Sequence, residues 1–443
     1  MGRNWYLLWS GSAISALGDG IFLAALPLLA TTLTQDPRLI AGVSFFGTLP
    51  WLLAALPAGA AADRYDGRRL LLAALWVQCG LMVVLAAFHS THIVFLYAMA
   101  FLIGTAENFP RAVGQPLIKA TVHDHLLERA NGRLFASQAV ALQFVGPPLG
   151  GLLFATAVSA PFWVNALTFG LAALLVIGMR TERREPTLKP KAREGLRWLV
   201  QHKVLRTVTV VSATTNLCIA MTMATLVLFA ERRLGLGGAG FGALLATLAC
   251  GGVAGALLAE RVLARVKHAV EITVVLIPLM WLGIATVARD LATVAVFAVV
   301  SSFCTAVWGV ATSSLRQRAV PAELLGRVSS AQTLITWGVQ PVGALLGGLV
   351  ADRFGLLAPW YVAVALRTAV GLLAVRPLRG HFAAAALDVH CAAEPEQDAA
   401  VTFSKRPLQA LAGRGVEDRR TNRWTRRRER RIHRLRLLRK QLT

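Results

Sequence analysis

Apolar stretches long enough to cross a bilayer recur from one end of this chain almost to the other. A spanning helix needs about 20 mostly apolar residues. About twelve windows meet that length, near 5–30, 40–62, 69–88, 92–115, 134–156, 161–180, 206–229, 239–259, 270–288, 291–313, 329–350 and 359–376. Hydrophobic residues make up 56% of the chain and charged ones 16%, and the mean hydropathy is +0.57. Lipid is therefore the expected main solvent. The first window follows Arg3 as a signal peptide would, but Asp19 interrupts it, it outruns a signal's apolar core, and more spans follow. It is expected to remain as a helix.

The connections fix an orientation. Between the second and third windows stand Gly59, Asp63, Arg64, Asp66, Gly67, Arg68 and Arg69, a charge density that does not lie in lipid, so this run is expected to be a tight aqueous turn. Short loops rich in Arg and Lys stay cytoplasmic. Basic residues recur in alternate connections: Lys119, Arg129 and Arg133; Arg180 to Arg197; Arg261, Arg265 and Lys267; Arg316, Arg318 and Arg327. Arg38, Arg232, Arg233, Arg289 and Arg353 are the exceptions. The pattern predicts an even number of spans in the cell membrane, with both termini in the cytoplasm.

The chain also repeats itself. Gly132-Arg133 to Gln138, followed by Val145-Gly146-Pro147, aligns with Gly326-Arg327 to Gln332, followed by Val339-Gln340-Pro341. Ala160-Pro161-Phe162-Trp163 likewise matches Ala358-Pro359-Trp360-Tyr361. Two six-helix halves in the same orientation account for both matches. The expected organisation is a first half over 1–180, a cytoplasmic linker over 181–205, a second half over 206–380 and a basic tail over 381–443. The linker carries Pro186 and Pro190 and an amphipathic stretch from Glu194 through Trp198, suited to lying along the interface.

On these residues the chain resembles the major facilitator superfamily, and within it the branch of enterobactin and macrolide exporters. The run at Gly59 is similar to that family's loop signature, Gly-x-x-x-Asp-Arg-x-Gly-Arg-Arg, with one extra residue at Asp66-Gly67. The resemblance implies that Gly59 allows close helix packing, that Asp63 and Arg64 join a charge network closing the cytoplasmic side, and that Arg68 and Arg69 are the terminal basic pair. A second such run, Gly348 to Asp352-Arg353-Phe354-Gly355, follows the eleventh window and is read as a local echo or a helix end. The position symmetrical with Asp63 is nearer Glu260-Arg261. Gly146, Pro147, Gly150 and Gly151 resemble the family's exporter signature in the fifth helix, although Ser137 stands where that pattern has a glycine. Proline frees a carbonyl and glycines admit a neighbouring helix, so this run is expected to be a close-packed joint, with ordinary small-residue packing as the alternative. The implied fold class is all-α integral membrane: twelve transmembrane helices in two six-helix halves, the major facilitator fold.

Charges inside the windows mark the expected site. A charged side chain at mid-bilayer costs about 2.5–3.5 kcal/mol on insertion scales and is tolerated mainly along water-filled paths. Asp19 lies halfway along the first window, and Glu107 and Arg111 lie one helical turn apart in the fourth. Desolvation favours the neutral acid and a neighbouring arginine favours the ion, so these three are the proton-coupling candidates; a structural ion pair and a helix-orienting Asp19 are the alternatives. Arg367 is a fourth intramembrane charge, able to snorkel toward an interface, and is given no role. Gln138, Asn216, Gln332 and Trp337 are candidates to line a substrate cavity, with Gln340 beside them; interhelical hydrogen bonding is the other reading.

Other chemistry finds little support. Of five cysteines, Cys79, Cys218, Cys250 and Cys304 fall in windows and Cys391 in the tail, without ligand spacing. His123-Asp124-His125 reads as a solvated turn. Gly235-Leu-Gly237-Gly-Ala-Gly240 fits a dinucleotide pattern by letter, but it joins two spans and follows no strand. With no phosphate-binding Gly-x-x-x-x-Gly-Lys-Ser/Thr loop, energy is expected from an ion gradient. No cofactor, metal or enzymatic role is expected. From Arg414 to Lys440 there are 13 basic and 3 acidic residues, and Ile432, Leu435, Leu438 and Leu442 share a helical face. A membrane-tethered tail of this kind meets anionic lipid before nucleic acid; it is expected to be disordered or to lie on the membrane surface.

The expected function is proton-coupled export of a small amphipathic compound by a monomer. An uptake permease or lipid translocator of the same fold is the nearer alternative, and a membrane-embedded receptor or enzyme the remoter one.

Overall fold

The computed structural model describes residues 1–89, 92–123, 126–179, 192–266 and 268–378. Expectations for Arg180, Pro186, Pro190, Asp124, His125, Cys391 and the tail from 381 onward fall outside these residues.

The first six windows form α1 (Arg3–Leu33), α2 (Pro37–Leu53) with α3 (Ala55–Arg64), α4 (Gly67–Phe88), α5 (Ile93–Thr121), α6 (Leu127–Ala139) with α7 (Gly146–Thr156), and α8 (Ala160–Ile177). After α9 (Ala192–Gln201) come α10 (Lys203–Met223) with α11 (Leu226–Leu234), α12 (Gly238–Arg265), α13 (Ala269–Thr286), α14 (Leu291–Ala319), α15 (Ala322–Gly338) with α16 (Gln340–Phe354), and α17 (Ala358–Leu378). Among the described residues every element is helical. Ten stretches among the described residues are long and apolar enough to cross a membrane, and Pro37–Leu53 and Ala358–Ala374 are shorter apolar helices. In lipid each backbone polar group must find its partner within the segment, which explains helices in every window.

The helix ends follow local chemistry. Asp36 caps α2 by accepting the Arg38 N–H at 2.8 Å, and Asp66 caps α4 by accepting that of Arg69 at 2.9 Å. Asp290 and Thr293 form a reciprocal capping box on α14. Gly235, at φ 63°, ends α11 in the left-handed conformation that glycine adopts at no steric cost.

Four windows break inside, and proline explains three of the breaks. A proline has no N–H for the carbonyl four residues earlier. Pro57 leaves Leu53 without that donor where α2 gives way to α3. Pro341 leaves Trp337 without it where α15 gives way to α16. Pro147 and Pro148 do the same to Gln143 and Phe144, where Val140–Val145 widens into a π-turn and the Gly146 N–H reaches back to the Ala141 carbonyl. The break at Ala224–Thr225 has no proline. The repeated sequence thus yields repeated structure: the copy ending at Pro147 and the copy ending at Pro341 both distort their helix just before the proline.

In the first half α1 packs on α7 and α8, α4 on α5 and α8, and α2 on α5. In the second half α12 packs on α14, α13 on α14 and α17, and α10 on α16 and α17. The halves meet chiefly through α2 against α16 and α7 against α12. One end of the bundle carries Arg3, Arg64, Arg68, Lys119, Arg133, Arg265 and Arg316, and is here termed the basic end. At the far end, Arg232 donates to the backbone and side-chain oxygens of Gln35 at 2.7 and 2.9 Å, and the halves touch. Toward the basic end, α3 packs on α2, α4 and α5, all of its own half. Linker helix α9 packs on α15, where Gly195 lies against the Arg327 backbone.

Candidate functional site: a charged cavity in the first half

Asp19 is held by two glycines. Gly18 lies so close to the Asn165 and Thr168 side chains of α8, and Gly20 so close to the backbone at Leu142 and Gly146, that a Cβ at either would overlap its neighbour. From the other side Gly146 meets Gly20 and Gly150 meets Ile21, backbone to backbone. Gly151 crosses to the Gly238 carbonyl of α12, so all three glycines singled out in the fifth window face specific partners. Pro147 itself takes part: its carbonyl abuts Gly242, also on α12. The joint clamps α7 to α1 beside Asp19 and to the second half at once.

Next to this clamp lies a cavity of about 440 Å³, walled by α1, α4, α5, α6, the π-turn and α8. The charged residues of its wall are Asp19, Glu107 and Arg111, and Gln138 joins them. Arg111 Nη2 donates to Glu107 Oε1 at 2.5 Å, one turn away on α5. The wall residues of α1, α4 and α5 come from the stretches of those helices nearer the basic end, and the wall belongs to the first half alone. The intramembrane carboxylates are thus brought together with their arginine, on two helices whose sequence positions are far apart.

Gln78 was not singled out in the sequence. It lines the cavity from α4, is 2% exposed, and its Oε1 has no hydrogen-bond partner among the described residues. A polar side chain in an apolar window was the available signal. Trp51 was missed as well: its indole carries the Arg111 guanidinium, whose central carbon sits 4.0 Å from the ring centroid. Asn108, beside Glu107, donates to the Gly104 carbonyl at 2.8 Å.

The other candidates lie elsewhere. Asn216 donates to the Ser212 carbonyl at 3.0 Å, and Gln332 accepts from Arg316 Nη1 at 2.9 Å. Both are engaged within the second half, the interhelical reading in the case of Gln332. Trp337 stacks on Trp51, centroids 5.0 Å apart and planes 20° from parallel. In the charged loop, Arg68 donates to the Val176 and Ile177 carbonyls at 3.1 and 2.6 Å, closing the end of α8. Arg64 and Arg69 are exposed, and the Asp63 side chain lies outside the described residues. Gly59 departs from expectation, because a Cβ there would meet open space. The physical reason is that α3 packs on α2, α4 and α5 of its own half and leaves Gly59 on an open side. Arg367 departs too: it does not snorkel but is 0% exposed, and its guanidinium nitrogens have no hydrogen-bond partner among the described residues. Gly348 and Asp352 are more than a helix end, since Gly348 packs on Pro37, Arg38 and Ala41 and Asp352 pairs with Arg38.

Two packed helical halves, the first of them holding a charged cavity within the apolar zone, are the architecture of a multi-pass membrane transporter. Residues 8–339 match the family model of the Major Facilitator Superfamily, and the chain belongs to that family. It is 28% identical over 405 residues to the multidrug efflux pump Tap of Mycobacterium tuberculosis, covering 84% of this chain and 92% of that protein. It is 24% identical over 222 residues to macrolide efflux protein A of Streptococcus pyogenes, covering 46% of this chain and 54% of that protein. The fold also matches the crystal structure of the nucleoside transporter NupG, with a TM-score of 0.70 at 12% identity, covering 85% of this chain and all of that one.

Proposed function

We propose that this transporter exports a small amphipathic compound, drug-, macrolide- or siderophore-like, in exchange for protons. The observation that carries the reading is the meeting of Asp19, Glu107 and Arg111 on one cavity wall inside the apolar zone. A protonated carboxyl crosses a low-dielectric path as a neutral group, whereas an ionised one needs a cation beside it. Proton and substrate that compete for the same carboxylates are carried in opposite directions, which is antiport. The names of the efflux relatives agree with export.

The basic end faces the cytoplasm of the cell membrane in this reading, with both termini on that side. The cavity then loads from the cytoplasm. Gly59, Asp63, Arg64, Arg68 and Arg69 close that side when the halves approach there, and the far-end contacts open in exchange. The chain acts as a monomer, and its basic tail holds anionic lipid. The test is flux in liposomes under an imposed pH gradient, with a panel of dyes, macrolides and siderophores. Substrate movement against its gradient, driven by proton entry, supports export. Uphill movement in the same direction as the protons would replace it with uptake.

A further inference from the structure

Two helices of opposite halves break at the same depth. The last turn of α2 holds Trp51, just before the break that Pro57 imposes, and the last turn of α15 holds Trp337, just before the break that Pro341 imposes. Beyond these breaks the segments part company. On the far side α2 packs along α16 across the halves, whereas on the basic side α3 stays with α4 and α5, and α15 packs mainly with α9 and α10. The two indoles stack at this junction, and Leu52 reaches the position a Cβ on Gly338 would touch at 3.3 Å. The stack is therefore an aromatic contact between the halves at the point where their closed and parted regions meet.

Arg111 ties that junction to the cavity. Its guanidinium lies against the face of Trp51 while it holds Glu107, so one line of contacts runs Glu107, Arg111, Trp51, Trp337 from the first half into the second. A guanidinium on an indole face is attracted by the ring quadrupole. Its position is set by the carboxylate that anchors it. When Glu107 takes a proton, the ion pair becomes a weaker bond from the guanidinium to a neutral acid, and Asp19 is left as the stronger pull on the same guanidinium. These are the charged groups of the cavity wall, to which α4, α6 and α8 contribute none. The charges of the elements packed on α5 beyond the wall, Arg3 on α1, Arg38 on α2, Asp63 and Arg64 on α3, Arg68 and Arg69 on α4, and Glu128, Arg129 and Arg133 on α6, belong to helix ends or stretches near them.

We propose that Trp51 and Trp337 are positioning residues that pass the charge state of the Glu107–Arg111 pair to the second half, loosening the junction when Arg111 leaves the Trp51 face. This rests on the proton-coupled reading above and names its route between the halves. The route needs no substrate contact by either indole.

The full chain in nanodiscs tests it without a substrate. Spin labels at Tyr65→Cys, a position 66% exposed, and at Ser330→Cys, with the five native cysteines replaced, report the opening at the basic end at pH 8 and pH 5. The parent protein is expected to shift its distance distribution between the two pH values, and Glu107→Gln to hold the low-pH distribution at both. Trp337→Ala and Trp51→Leu are expected to abolish the shift, while Trp337→Phe and Trp51→Phe, which keep an aromatic face, retain it. Trp337 is 41% exposed, so its truncation leaves the fold intact even where Trp51→Leu is not recovered, and Trp337→Ala then decides alone. A full pH shift in Trp337→Ala beside a responsive parent overturns the tryptophan route and leaves proton coupling standing. A parent that does not respond to pH overturns the coupling reading and the route with it.

Discussion

Arg38 on α2 and Asp352 on α16 pair across the two halves, Nε to Oδ2 at 3.4 Å, while Arg38 also holds Asp36 at 3.2 Å. Arg38 thus fastens the far end to its own helix cap and to the opposite half. Asp352→Asn is expected to shift the population toward opening at that end, read as faster labelling of a cysteine placed at Leu39. Unchanged labelling would mean that the α2–α16 packing and the Arg232–Gln35 bonds hold this end without the ion pair.

The same cluster should be steady across the pH range in which protons drive transport. Partial burial pushes the Asp36 carboxyl up, but the hydrogen bonds and charge of Arg38 outweigh it and hold the group below its ordinary value. A lowered folded pKa stabilises the cap above the unfolded value, and that contribution is lost only as pH falls through the folded one. The cap itself adds no pH dependence, so labelling at Leu39 is expected to change between pH 8 and pH 5 only together with the basic end, and to be flat in Glu107→Gln.

Asp19→Asn and Glu107→Gln are each expected to stop gradient-driven flux while leaving binding of the transported compound measurable. The pair shares one cavity wall, so a single carboxylate that survives alone is the coupling group. Full gradient-driven flux in both single variants and in the double variant would remove these carboxylates from the mechanism.

Gly150 and Gly151 are neighbours with different partners, and the same substitution should separate them. Valine at Gly150 would overlap the Ile21 backbone within one half, and overpacking of this kind typically costs about 1–3 kcal/mol. A lower melting temperature is expected. Valine at Gly151 would press on Gly238 of the other half, and there the halves are able to part. Its expected effect is greater accessibility at the far end with a smaller loss of thermal stability.

Arg367→Met is expected to leave the melting temperature at or above that of the parent. The guanidinium is wholly buried, with no hydrogen-bond partner among the described residues and the Trp308 ring centroid 5.9 Å away. An unpaired buried charge carries a desolvation penalty of several kcal/mol, which a methionine of similar reach removes. A clear fall in melting temperature would show that the arginine has a bound partner in the membrane.

Spans were legible because window length acts over short stretches of chain, and the basic loops alternate by a rule of position. The breaks at Pro57 and Pro341 were not foreseen, since Pro27 and Pro278 sit inside helices that continue through them. The joint at Gly146 was legible for the same reason: small residues beside a proline invite a close neighbour, although the sequence does not say that the neighbour is Gly20. Rotation about a helix axis was not legible. Arg367 has a stem long enough to reach an interface, but its helix turns it inward; Gln332 turns toward Arg316 instead of the cavity. Gly59 depends on which end is closed, a property of one state and not of the residue. Trp51 looked like any tryptophan in an apolar window, because its two partners come from elsewhere in the chain, one of them from the other half.

The break between α2 and α3 turns one membrane helix into a rod with an independent arm. The arm, α3, has 10 residues, which at 1.5 Å per residue is about 15 Å long. Tilting it by about 20° from its base moves the tip by about 5 Å, roughly one helical pitch. A gap the width of a side chain can therefore open or shut at the basic end while α2, above the break, keeps every contact it makes with α16. In the proposed exchange, this leverage adds to the approach of the two halves, so access at that face takes a smaller movement of each half than a straight helix would need.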